Sequence, residues 1–279
     1  MNRPVGVIGA GTMGLGVAQS LATAGHEVIV VEPVGAVLSS APDRLRDGLR
    51  LAKLLKHFTG DLATVLSSVH WTAEEKDLAE VHFVVECAPE RIPLKQELFR
   101  TLDAICPPDA VFASCTSAIP IGLLAAHTSR PELFLGMHFM NPAPLKPVVE
   151  VAVTPQTAPS TLLRADDLLS SMGKRSLVVR DAPGFVSNRV LMSTINDAAI
   201  VVQEGTASPA TVDQVFEDCF GHRMGPLHTA DLIGLDTIVD TLHVLLETTG
   251  DPRFTPCDLL SRMVRDGRLG KKTNGGFFP

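Results

Sequence analysis

A short apolar run, Val5–Ile8, empties into Gly9-Ala10-Gly11-Thr12-Met13-Gly14, and a helical pattern over Met13–Ala24 follows at once. A G-x-G-x-x-G placed between a strand and a helix narrows the possible folds sharply. Gly9 permits the tight turn, Gly11 clears a path for close approach of a pyrophosphate, and Gly14 lets helix and strand pack closely. The helix N-terminus then points its amides at the anion. The rest of the first half agrees with a parallel sheet covered by helices. Strands are expected at Glu27–Val31, Val81–Glu86, Ala110–Ala113, Leu133–His138, Val148–Val153 and Ser176–Arg180, with helices at Val37–Lys56, Leu94–Ile105, Ile121–His127 and Ser160–Met172. Beyond Pro183 and Gly184 the pattern turns helical, over Val186–Glu204, Pro209–Phe220, Thr229–Thr249 and Asp258–Asp266. The expected fold class is therefore α/β: a Rossmann-type doubly wound domain over residues 1–182, then a smaller all-helical domain over 183–279.

The second strand leads to Glu32, whose carboxylate can accept hydrogen bonds from ribose hydroxyls and would repel the extra phosphate of NADP. NAD is the expected cofactor, held by Gly9, Gly11, Thr12, Met13, Gly14 and Glu32. Composition excludes several other classes. The net charge is −7 and the 24 Lys and Arg are scattered, so no nucleic-acid partner is expected. The five cysteines are odd in number and show no metal-binding spacing, as reduced thiols of a cytoplasmic protein would, and no metal is expected. The opening apolar run passes directly into the glycine turn without a signal-peptide pattern, and no apolar run has membrane-spanning length.

Seven ordered stretches carry a resemblance. They are GAGTMGLGVA in the opening turn and helix, VVECAPERIPLKQELF at 84–99, SCTSAIPI at 114–121, GMHFMNPAPLKPVVEV at 136–151, DAPGFVSNRV at 181–190, RMGPLHTADLIGLD at 223–236 and GRLGKKTNGGFF at 267–278. Together they resemble the 3-hydroxyacyl-CoA dehydrogenase family over nearly the whole chain. The resemblance implies an NAD-dependent interconversion of a 3-hydroxyacyl thioester and its 3-oxoacyl form. It places the catalytic base on His138 and its carboxylate partner on Glu150, with the His ending one strand and the Glu ending the next. Oxidising a secondary alcohol needs a base for the hydroxyl proton, and imidazole titrates near working pH. A carboxylate on the far ring nitrogen fixes the tautomer and stabilises the imidazolium. Ser117 and Asn188 match positions that hydrogen-bond the substrate oxygen, where charge changes as hydride moves. Glu90, Lys95 and Asn141 match positions lining the nicotinamide side. A cleft between the domains and a homodimer formed through the helical domain are also implied.

The chain departs from the family pattern at Cys115, where Asn is common, at Glu32 for Asp, and at Met140 for Phe. The stretch Val37–His70 is shorter and less Lys-rich than in fatty-acid members. The texture resembles compact members of polyketide pathways that oxidise a glyceryl unit on an acyl carrier protein to form hydroxymalonyl-type extender units. Either CoA or an acyl carrier protein is thus an expected carrier, and Arg46, Arg50, Lys53 and His57 form a basic helical stripe that an anionic carrier can use. Two rivals differ in their residues. β-Hydroxyacid dehydrogenases acting on free acids rely on a helical-domain Lys, and a dinucleotide-binding protein retired from catalysis has little reason to keep Ser117, His138, Glu150 and Asn188 together.

Overall fold

The computed structural model describes residues 3–279. They divide into two compact units, residues 3–116 with Pro120–Ala182, and Ser117–Ile119 with Pro183–Pro279. In the first unit β1 (Val5–Ile8), β2 (Val28–Val31), β3 (Val69–Thr72), β4 (Phe83–Glu86), β5 (Val111–Ser114), β6 (Phe134–Phe139), β7 (Val148–Val153) and β8 (Arg175–Arg180) form one sheet in the order β3-β2-β1-β4-β5-β6-β7-β8. Every neighbouring pair is parallel except β6 and β7. The helices are α1 (Thr12–Thr23), α2 (Gly35–Leu54), α3 (Leu62–Ser67), α4 (Ile92–Ile105), α5 (Ile121–Ala125) and α6 (Pro159–Ser171). Strand order reverses on either side of β1, which opens a crevice beyond the carboxyl ends of β1 and β4.

The central strands β1, β4, β5 and β6 are buried along their whole length, as their continuous apolar runs require of strands covered on both faces. Phe99 of α4 stacks edge-on against Phe134 of β6 at 4.6 Å, and Phe112 of β5 completes an aromatic cluster. Each such buried ring contributes about 1.5–3 kcal/mol of transfer free energy. That cluster fixes α4, and with it the residues α4 carries, against the sheet.

The second unit contains α7 (Ser187–Gln203), α8 (Pro209–Phe220), α9 (Pro226–Ile233), α10 (Leu235–Thr249) and α11 (Asp258–Arg265) around its own apolar core. Ala118 belongs to that core, which explains why Ser117–Ile119 join this unit although they follow β5 in sequence. The single helix expected over Thr229–Thr249 is two helices. Gly234 stands between them at φ +105°, a conformation L side chains rarely adopt, and a Cβ there would lie 2.6 Å from the Lys272 side chain. The first of the two starts at Pro226, where the buried Asp213 carboxylate accepts the N–H groups of Leu227 and His228, each at 2.8 Å. Among the described residues no helix is long and apolar enough to cross a membrane.

Candidate active site

The glycine turn takes the form its sequence demands. Gly9 has φ +92°, and a Cβ on Gly14 would stand 1.8 Å from the Gly9 carbonyl oxygen. At Gly11 the opposite holds: a Cβ would meet nothing within 4 Å. That open space adjoins the N-terminus of α1, where Gly11 is the cap residue and no side chain accepts from the first amides. Thr12 and Met13 begin the helix there. Backbone donors facing an opening fit a pyrophosphate. The Glu32 carboxylate follows β2, accepting Ala10 N–H through Oε2 and Val34 N–H through Oε1, both at 2.9 Å. The turn and the acidic residue are thus held as one piece, and each oxygen keeps a second lone pair for a ribose hydroxyl. Arg44, on α2, donates to the Ala10 carbonyl at 3.1 Å and brings a cation to the same turn.

At the end of β4 the chain buries a charged pair that sequence reading did not find. Glu86 is wholly buried, and Lys95 is 1% exposed, so Lys95 is not the surface residue its place at a helix start allows. The Lys95 ammonium lies 2.6 Å from Glu86 Oε1, 3.6 Å from Glu90 and 3.0 Å from the Ala88 carbonyl. Ser114 Oγ donates to the other Glu86 oxygen at 2.5 Å. Burial alone would lower the Lys95 ammonium, but the Glu86 and Glu90 carboxylates outweigh it and hold the group above its ordinary range. Glu90 also accepts from the Thr116 hydroxyl. The legible signal was a Glu ending an apolar strand with a Lys nine positions later, since a buried carboxylate needs a cation.

His138 and Glu150 are direct cross-strand partners in the antiparallel β6–β7 pair. His138 Nδ1 lies 3.2 Å from Glu150 Oε2, and both side chains are buried. The expectation that Glu150 ends its strand is corrected: antiparallel pairing sets the start of β7 beside the end of β6, so Glu150 is the third residue of β7. Asn141 is exposed in the loop between them. In the helical unit, Asn188 Nδ2 donates to the Ser117 carbonyl at 2.7 Å, which joins two residues 71 positions apart. The basic stripe on α2 is compensated by its own helix, since Arg46 pairs with Asp43 and Arg50 with Asp47 at 3.3 Å.

A doubly wound sheet with this turn, an acidic residue after β2 and a buried His–Glu pair defines an NAD-dependent oxidoreductase. Family models narrow it further. The 3-hydroxyacyl-CoA dehydrogenase NAD binding domain matches residues 4–182, and the C-terminal domain of the same family matches 184–279. A probable 3-hydroxybutyryl-CoA dehydrogenase of Bacillus subtilis is 42% identical over 279 residues, covering 99% of this chain and 96% of that protein. The crystal structure of FadB2 from M. tuberculosis superposes with a TM-score of 0.94 at 37% identity, over 99% of this chain and 98% of that one. That of (S)-3-hydroxybutyryl-CoA dehydrogenase PaaH1 from Ralstonia eutropha gives 0.91 at 37% identity, over 100% and 99%. The chain belongs to the 3-hydroxyacyl-CoA dehydrogenase family, and NAD is its cofactor.

Proposed function

We propose that this enzyme interconverts a short-chain 3-hydroxyacyl-CoA and its 3-oxoacyl form, with His138 and Glu150 as the proton-transfer pair. The observation that carries this reading is the buried cross-strand contact between them. NAD, when bound, supplies the hydride acceptor. With Nδ1–H donated to Glu150, the His138 ring presents the lone pair of Nε2 to the substrate hydroxyl and takes its proton. Glu150 holds the ring in that tautomer and stabilises the imidazolium. Ser117 and Asn188 hydrogen-bond the substrate oxygen in this reading, and Glu90, Lys95 and Asn141 line the nicotinamide side. Residues 1–182 serve as the cofactor domain and 183–279 as the domain for substrate and for homodimer contacts. The free thiols suit the reducing cytoplasm.

The names of the relatives favour CoA as carrier. The α2 stripe adds little for a carrier protein, because Arg46 and Arg50 are already paired. His138→Ala and Glu150→Gln should each lower kcat by about 10²–10⁴, with NAD affinity nearly unchanged. The losses should not multiply in the double variant, since the two groups act on one step. An active His138→Ala enzyme, or fully multiplicative losses, would remove the pair from the mechanism. Assays with the same 3-hydroxyacyl group on CoA, on a carrier protein and as a free acid decide the carrier. Light scattering should report a dimer, and monomer alone at micromolar concentration would refute that assignment.

A further inference from the structure

Two thiols that take no part in the proton transfer stand side by side at the carboxyl edge of the sheet. Glu86 and Ser114 are the last paired residues of β4 and β5, and the Cys115 N–H extends the ladder by donating to the Glu86 carbonyl at 2.7 Å. Cys87 and Cys115 follow directly after β4 and β5, so continuing the register sets them side by side, on the side opposite the Ser114–Glu86 hydrogen bond. The spacing of neighbouring strands is about 4.8 Å, within the roughly 4.4–6.8 Å between Cα atoms that a disulfide accepts. Both cysteines are partly exposed, whereas Cys106 and Cys257 are buried.

Their place ties them to the cofactor crevice. A Cβ on Gly9 would lie 2.9 Å from the Cys87 carbonyl oxygen, and one on Gly14 would lie 3.5 Å from Cys87 Cβ. Cys87 therefore packs against the dinucleotide turn. We propose that Cys87 and Cys115 form a modification site, closed to an intramolecular disulfide by exchange with a low-molecular-weight disulfide, and that bound NAD shields it.

Cys115 is the attacking thiol. The neighbouring Cys87 thiol, with the Phe139 N–H and Lys95, holds its thiol below the ordinary range against the opposing pull of desolvation. Cys115 beside it, together with desolvation, pushes the Cys87 thiol up. The Cys115 thiolate attacks one sulfur of the small disulfide, whose S–S bond breaks as a mixed disulfide forms and one thiolate leaves. Cys87 then gives up its proton and attacks Cys115 Sγ, expelling the second thiolate. The two cysteine protons finish on the two released thiols, and the two electrons lost by the pair reduce the small disulfide.

The test uses the full chain carrying Cys219→Ser, because Cys219 is exposed and would react on its own. After treatment with oxidised glutathione, intact mass should fall by two hydrogens, and non-reducing peptide mapping should join the Cys87 and Cys115 peptides, reversibly with dithiothreitol. In Cys87→Ala the reaction should stop at one glutathione adduct on Cys115. Saturating NAD should slow closure at least tenfold. Separate adducts on the two cysteines, an unreacted pair, or a closure rate indifferent to NAD would overturn the proposal. The mass readout on the parent chain stands whether or not the Cys87 variant folds, and it is independent of the roles given to His138 and Glu150.

Discussion

Lys95 sits where an ammonium has no water to fall back on, so its neighbours decide what it does to stability. Replacing it by Met leaves Glu86 buried without its cation, which should cost about 3–5 kcal/mol at neutral pH. The sign with pH follows from the direction of its shift. Its folded-state value is raised above the ordinary 10.5, so its contribution is complete below the unfolded value and fades as pH climbs through the folded one. Denaturant midpoints of parent and Lys95→Met should therefore converge above pH 10.5, and a gap that widens there would contradict the ion-pair account. His138 and Glu150 were legible as a pair because residues around them match a family motif. Glu86 and Ser114 were not, because a polar residue inside an apolar strand declares its partner only once neighbouring strands are aligned.

At the scale of the element, the glycine turn separates two demands that the motif merges. Gly14→Ala places a methyl 1.8 Å from a backbone oxygen, so the turn itself must deform, and both thermal stability and NAD binding should fall. Gly11→Ala meets nothing within 4 Å, so stability should hold while NAD binding weakens roughly tenfold or more, about 1.4 kcal/mol. Calorimetry paired with NAD titration separates the two. A Gly11→Ala protein that binds NAD normally would show that the pyrophosphate does not lie over this residue. The alternation of strands and helices was legible here because buried parallel strands read as continuous apolar runs. The edge strand β3 escaped notice: Val-His-Trp-Thr is short and half polar, with only its two end residues buried. The break at Gly234 escaped for a different reason, because a lone glycine inside a helical pattern shows its positive φ only in three dimensions.

For the molecule as a whole, cofactor choice appears as stability. A ligand that binds only the folded chain stabilises it by about 2.7 kcal/mol at a hundredfold excess over Kd. For a protein of this size each kcal/mol raises Tm by roughly 2–4 °C. Glu32 stands beside the turn with both carboxylate oxygens oriented by backbone amides, so it cannot swing away from a 2′-phosphate without giving up those bonds. NAD should therefore raise Tm by several degrees and NADP at the same concentration should not. Equal shifts would show that the carboxylate does not discriminate. The two-unit division was legible from the change of pattern near Pro183, whereas the transfer of Ser117–Ile119 to the helical unit was not, since it depends on where Ala118 finds its apolar neighbours.

The β6–β7 hairpin also carries two separate restraints. His138 faces Glu150 through ladder register, and a slip of one residue would turn Glu150 to the other face of the sheet. The loop over residues 140–147 is held separately: Lys174 Nζ donates to the carbonyls of Ala143 at 2.7 Å and Lys146 at 2.8 Å. Because these two restraints share no residue, the register of the His–Glu pair and the hold on the loop can be perturbed one at a time.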